Sequence, residues 1–216
     1  MKAAVLENGK FNIKDLEKPS LSDREGAIIK IHGSGLCGSD IVKIRTGAAK
    51  DGSVLGHEIV GEIVEINTKT PFKKGDIIAM GHHVPCFDCP YCFSGNYSMC
   101  RHFKSTNIFP GGFSEYVFVS EEHLNNTVFV VTPHLTDIEA SFLEPLACCI
   151  RAVKKTGLKD RTKNLVMGLG SIGILMGEAL KAYGNEVYGC DLIKERALLS
   201  ENYGFDKSFV LKDEKQ

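Results

Sequence analysis

Over the first 130 or so residues, apolar positions fall in short runs of four to eight, rich in valine and isoleucine and broken by glycine and proline. Strands are predicted at 3–7, 11–16, 27–32, 59–66, 76–80 and 113–119, separated by turn signals such as Lys73-Lys74-Gly75-Asp76. That rhythm predicts a compact all-β unit of barrel type. No internal repeat or low-complexity segment interrupts it.

The texture changes near Thr136. Thr136-Asp137-Ile138-Glu139 has the form of a capping box and predicts a helix over 137–143. Pro145 cannot continue that helix but suits the first turn of a second, running to about Lys155. Glu144 stands at the joint, a carboxylate on a restricted backbone. Beyond it the pattern alternates: strand 164–168, helix 172–183, strand 186–190, helix 194–203 and strand 207–211. Alternating strands and helices predict a parallel sheet, so the fold class is α/β with a β-rich N-terminal domain.

Composition narrows the function classes. The 26 basic residues nearly cancel the 27 acidic ones, and no block of like charge offers a face to nucleic acid or an anionic membrane. Apolar stretches are too short to span a bilayer, and the first residues read as a strand rather than a secretion signal. A cytoplasmic setting is the expectation. Eight cysteines in such a chain point to metal or catalysis rather than to disulfides.

Four of them, Cys86, Cys89, Cys92 and Cys100, lie within fifteen residues. Four thiolates at this spacing can close around one tetrahedral zinc and leave no open position, which predicts a structural site. A nucleic-acid-binding zinc ribbon is the rival, but Asp88, Tyr91 and Phe93 make no basic surface. Cys37 and the pair His57-Glu58 are weak signals singly. With Glu144 they offer a thiolate, an imidazole and two carboxylates, the donor types of an open catalytic zinc. Asp40 is a natural partner for a ligating imidazole. Further on, Gly168-Leu169-Gly170-Ser171-Ile172-Gly173 joins a predicted strand to a predicted helix, and Asp191 ends the next strand. This is the dinucleotide-binding arrangement, with the pyrophosphate at the helix N-terminus. Asp191 would hydrogen-bond the adenosine ribose and repel a 2′-phosphate, which favours NAD over NADP.

Gly35-Leu36-Cys37-Gly38-Ser39-Asp40, Gly56-His57-Glu58 and the four-cysteine run, in this order, resemble the zinc-dependent medium-chain alcohol dehydrogenase family. Glu144-Pro145-Leu146-Ala147 resembles its polyol, or sorbitol dehydrogenase-like, branch. The resemblance implies a GroES-like zinc-binding catalytic domain at 1–153 and the first half (βαβαβ) of a Rossmann NAD-binding domain at 154–216. It implies two zinc ions, one structural and one catalytic. Cys37 and His57 are the implied catalytic ligands, with Glu58 and Glu144 sharing the remaining positions. Ser39 would accept the alcohol proton and Arg196 would face the adenosine, while Cys148 and Cys149 are expected to be buried packing residues. Val42 stands where many members place a proton-relaying histidine.

The implied reaction is NAD-linked oxidation of a secondary alcohol or polyol. Amino-alcohol (threonine-type) oxidation is a second enzymatic reading, and a catalytically silent zinc- and nucleotide-binding fragment a third. Three predicted strands fall short of the roughly six of a full sheet of this type. The chain is therefore expected to be C-terminally truncated and inactive alone, its full-length form a homo-oligomer.

Overall fold

The computed structural model describes residues 1–158 and 161–212. The chain forms two compact units, Met1–Leu143 and Glu144–Gln216.

In the first unit β1 (Lys2–Glu7) and β2 (Lys10–Asp15) form a hairpin in continuous antiparallel register from Lys2↔Asp15 to Glu7↔Lys10. The larger sheet is built from β3 (Gly26–Gly35), β4 (Glu58–Ile66), β5 (Ile77–Met80), β6 (Tyr116–Ser120) and β7 (Val128–Val130). Its strand order is β6-β3-β4-β5-β7, and every pairing is antiparallel. Alternate side chains of these strands point inward, and Ala27, Ile29, Ile59, Ile63, Ile78, Val117, Val119 and Leu124 form one buried cluster. Burying valine- and isoleucine-sized side chains at about 1.5–3 kcal/mol each makes this cluster the main anchor of the unit. Register shifts interrupt the β3–β4 pairing between Ile28 and Ile29 and between Ile31 and Gly33. Such bulges bend and re-aim a strand, and here they lie just before the segment that carries Cys37.

Helices interrupt the β-rich unit in several places: α1 (Gly38–Arg45), α2 (Pro90–Phe93), α3 (Arg101–Ser105), α4 (Glu121–Asn126) and α5 (Asp137–Ser141). The capping box expected at Thr136 is present, with the Thr136 amide donating to Glu139 Oε2 at 2.8 Å and the Glu139 amide to Thr136 Oγ1 at 3.2 Å. Phe142 ends that helix, and α6 (Leu143–Thr156) follows with Pro145 in its first turn.

The second unit is a parallel three-stranded sheet of β8 (Lys163–Met167), β9 (Glu186–Asp191) and β10 (Lys207–Val210), in the order β10-β9-β8. Helices α7 (Ser171–Ala182) and α8 (Lys194–Glu201) make the crossovers. Cys149, Val153, Leu169, Leu180, Val187, Ala197 and Phe205 form its core. Among the described residues no helix is long and apolar enough to cross a membrane.

Candidate metal and nucleotide sites

The four-cysteine run folds into a lobe of short helical turns: α2, a 3₁₀ turn at Tyr97–Met99, and α3. Its centre is sulfur. Cys89 and Cys92 Sγ lie 3.5 Å apart, Cys86 and Cys100 Sγ 3.5 Å, and Cys86 and Cys92 Sγ 3.9 Å. Zinc–sulfur bonds of about 2.3 Å in a tetrahedron place neighbouring sulfurs about 3.8 Å apart, so the four thiols are set at the right spacing. Their electrostatics are split. Main-chain N–H groups of Cys86 and Phe103 lower the Cys100 thiol to about 6. Burial, reinforced by the neighbouring thiols, pushes Cys92 up to about 12. A dication that ionises all four would relieve that conflict.

The second cluster is assembled from three places in the first unit. Cys37 is the N-cap of α1, its Sγ accepting the Ser39 amide at 3.4 Å. His57 precedes β4, and Glu58 opens it opposite Gly35 of β3. A Cβ on Gly35 would lie 2.1 Å from Glu58 Oε2, so only glycine leaves room for this carboxylate. The donor atoms of Cys37, His57 and Glu58 lie within 4.8 Å of one another. Thiolate, imidazole and carboxylate without a fourth protein donor in the same group suit a catalytic rather than a closed zinc site.

Asp40 ties this cluster together. It is fully buried, and its Oδ2 accepts the Cys37 amide at 3.2 Å. Among the described residues its Oδ1 has no hydrogen-bond partner, but it sits 3.5 Å from His57 Nδ1. Burial works to raise the Asp40 pKa, yet the His57 ring, the Cys37 amide and Lys43 outweigh it and hold the carboxyl ionised. A carboxylate against Nδ1 orients a ligating histidine and leaves Nε2 as the metal donor. Both donor sets therefore fit zinc.

In the second unit the glycine loop runs from β8 into α7. Gly168 takes a φ of +90°, and Gly170 caps α7 without any side-chain hydrogen bond, leaving main-chain N–H groups exposed at the helix start. A Cβ on Gly173 would fall 1.9 Å from the Gly168 carbonyl oxygen. Asp191, at the end of β9, is buried; its Oδ2 accepts the Leu169 amide at 2.7 Å and its Oδ1 the Ile193 amide at 2.8 Å. Those bonds, with Arg196 Nη1 at 3.9 Å, keep its carboxyl below the usual aspartate range.

Residues 23–128 match the family described as the alcohol dehydrogenase GroES-like domain. The chain is 32% identical over 193 residues to a sorbitol dehydrogenase of Bacillus subtilis, covering 85% of this chain and 53% of that protein. A sorbitol dehydrogenase of Halalkalibacterium halodurans is 33% identical over 207 residues, covering 93% of this chain and 59% of that one. The crystal structure of galactitol-1-phosphate dehydrogenase from Escherichia coli superposes with a TM-score of 0.85 at 29% identity, over 97% of this chain and 61% of the other. The chain thus carries an alcohol dehydrogenase GroES-like domain and, over most of its length, is similar to sorbitol and galactitol-1-phosphate dehydrogenases. It spans between 53% and 61% of the length of these relatives.

The dehydrogenase family uses zinc and a nicotinamide dinucleotide, and the GroES-like fold expected for the first unit holds. Within that unit the sequence-predicted Cys37, His57 and Glu58 come together, as do Cys86, Cys89, Cys92 and Cys100. Ser39 lies exposed in the first turn of α1. Ser171 and Ile172 are exposed at the start of α7. Glu144 is half-buried in the first turn of α6, where it accepts a weak hydrogen bond from Cys148 at 3.7 Å. One expectation is corrected: Cys149 is buried, but Cys148 is exposed, because the two fall on different faces of α6.

Sequence reasoning missed His82 and His83. The His82 ring packs in tilted contact with His57 at 4.4 Å between centroids and with His83 at 3.9 Å. Burial, with His83 and His57 beside it, lowers the His82 pKa to about 2, so this imidazole stays neutral. No spacing rule marks these residues; only the return of β5 alongside β4 brings them to the site.

Proposed function

We propose that this chain carries the catalytic-metal and dinucleotide-binding parts of a dehydrogenase that oxidises a secondary alcohol or polyol to a ketone, with NAD as hydride acceptor. The convergence of Cys37, His57 and Glu58 donor atoms within 4.8 Å carries the reading. The sorbitol and galactitol-phosphate enzymes among its relatives support a polyol as the substrate class.

Zinc, when bound, supplies Lewis acidity toward a hydroxyl oxygen. Cys37 and His57 would hold it, with Glu58 and Glu144 sharing the remaining positions with water or substrate. Asp40 fixes the His57 ring. Ser39, exposed in the first turn of α1, would take up the hydroxyl proton as it passes on its own. In the second unit Gly168, Gly170, Ser171, Ile172 and Gly173 would bind the pyrophosphate through main-chain N–H groups, Asp191 would accept from the adenosine ribose hydroxyls, and Arg196 would face the adenosine. The four-cysteine lobe holds the structural zinc. A cytoplasmic homo-oligomer without nucleic-acid or membrane partners is the setting we infer, supported by the near-balanced charge.

The decisive experiment measures NAD reduction with sorbitol, xylitol and threonine by the protein that contains this chain. Cys37→Ser should abolish turnover and remove one of two zinc ions. Retained polyol oxidation in Cys37→Ser would refute the assignment, and activity confined to threonine would replace the substrate class. A preference for NADP in the unsubstituted protein would refute the role given to Asp191.

A further inference from the structure

The segment between β5 and the four-cysteine lobe is held more firmly than a connecting loop requires. The Gly81 amide donates to the Thr127 carbonyl at 3.0 Å, and the Val84 amide to Thr106 Oγ1 at 2.8 Å. The His82 carbonyl accepts Nε2–H of the buried His123 at 3.0 Å, and His123 Nδ1 is paired with Ser120 Oγ at 2.7 Å. His83 Nδ1 donates to the Thr106 carbonyl, and its ring lies 4.8 Å from Phe103. Among the described residues the hydrogen bond at His82 is made by its main-chain carbonyl. Its imidazole packs between His57 and His83 and is aimed at His57: ring nitrogens of the two residues lie within 4.8 Å of each other. Two imidazoles on one zinc, with bonds of about 2.0–2.1 Å, place their nitrogens about 3.3 Å apart in a tetrahedron and about 4.1 Å apart when opposed. A closing movement of at most about 1.5 Å brings His82 to the tetrahedral spacing.

We propose that His82 is a metal donor of the Cys37/His57/Glu58 centre, taking the coordination position on its open side when no substrate hydroxyl occupies it. The inference rests on the catalytic-metal reading above. It adds a second imidazole to that centre, supplied by the segment that leads, four residues later, into Cys86. A neutral nitrogen donor that gives way to the substrate keeps the ion bound between turnovers without adding negative charge to it. It also explains a polar ring packed in a half-buried position that an aromatic hydrocarbon would fill as well.

The test uses cobalt(II) loaded after zinc has filled the four-cysteine site. X-ray absorption should count two imidazoles on cobalt in the native chain and one in His82→Phe. That variant keeps the ring packing, and the carbonyl bond to His123 is main-chain. The visible d–d spectrum should shift, and cobalt affinity at this centre should fall at least roughly tenfold. The four-cysteine zinc stays bound in both proteins and reports that the fold is intact; His82→Gln gives a second check if phenylalanine perturbs it. One imidazole in the native chain, or a spectrum and affinity unchanged by both substitutions, overturns the role of His82 alone. A native chain that binds no ion beyond the four-cysteine zinc, or a bound cobalt indifferent to Cys37→Ser and His57→Ala, overturns the catalytic-metal reading as well.

Discussion

At the scale of single residues, Asp40 is the most informative side chain in the first unit. It is fully buried, anchors the Cys37 main chain and faces His57. Asp40→Asn preserves its shape but removes the charge that orients the ring. Metal affinity at the Cys37/His57 centre should drop roughly 10- to 100-fold, while the four-cysteine zinc is unaffected. Competition titration with a chromophoric chelator measures both, and an unchanged affinity would show that the carboxylate is a packing residue. The sequence made Asp40, Cys37 and His57 visible through spacing to one another. His82 was invisible because its partner is far along the chain and the contact depends on strand pairing, which local pattern does not encode.

At the scale of elements, strands and the long crossover helices were readable because burial alternates or recurs along them. The helix α1 was not. It begins Gly38-Ser39, carries β-branched Ile41, Val42 and Ile44, and buries only Asp40, so neither propensity nor periodicity announces it. A cysteine acting as N-cap, with Asp40 returning the bond, stabilises it instead. Strand β7 is only three residues long and escapes for the same lack of pattern. In the second unit the tightest constraint is the β8–α7 turn. Gly173→Ala drives a methyl group against the Gly168 carbonyl. We expect about 1–3 kcal/mol of destabilisation and loss of adenine-nucleotide binding, read by thermal unfolding and calorimetry.

Asp206 joins β10 to the rest of that sheet: its Oδ2 accepts the Val187 amide at 2.6 Å, and Lys181 Nζ donates to both oxygens at 2.9–3.0 Å. The Val187 amide first, and Lys181 second, hold its pKa below the ordinary 3.8. Its folded value being depressed, this contribution to stability is full above about pH 4 and fades as pH falls through the lower folded value. Asp206→Asn should therefore melt lower than the parent near neutrality. The gap should narrow on acidification, and a gap that widens instead would contradict the assignment.

At the scale of the molecule, two donor clusters of opposite design, both candidate metal sites, share the first unit. The closed sulfur site should resist a chelator that empties the Cys37/His57/Glu58 centre, because an open position admits the competing ligand. Timed chelation followed by metal analysis checks the order of release, and simultaneous loss would count against one site being closed. Refilling the sulfur site should also weaken as pH falls, since the thiol of Cys92 holds its proton up to about 12 and must surrender it. A zinc uptake curve flat between about pH 6 and 8 would contradict this.

The carboxylate of Asp191 serves two main-chain amides, one on each side of the β8–β9 crossover. Cofactor exchange is consequently not a single-residue problem in this scaffold. A variant built to welcome a 2′-phosphate by deleting that charge also unhooks Leu169 and Ile193, each a buried or turn-forming amide left seeking an acceptor, at about 1–3 kcal/mol for a buried one. An engineer, or a lineage drifting from one coenzyme pool to the other, would have to supply a neutral acceptor there first. Any cofactor selectivity set at Asp191 is therefore tied to the order of this loop.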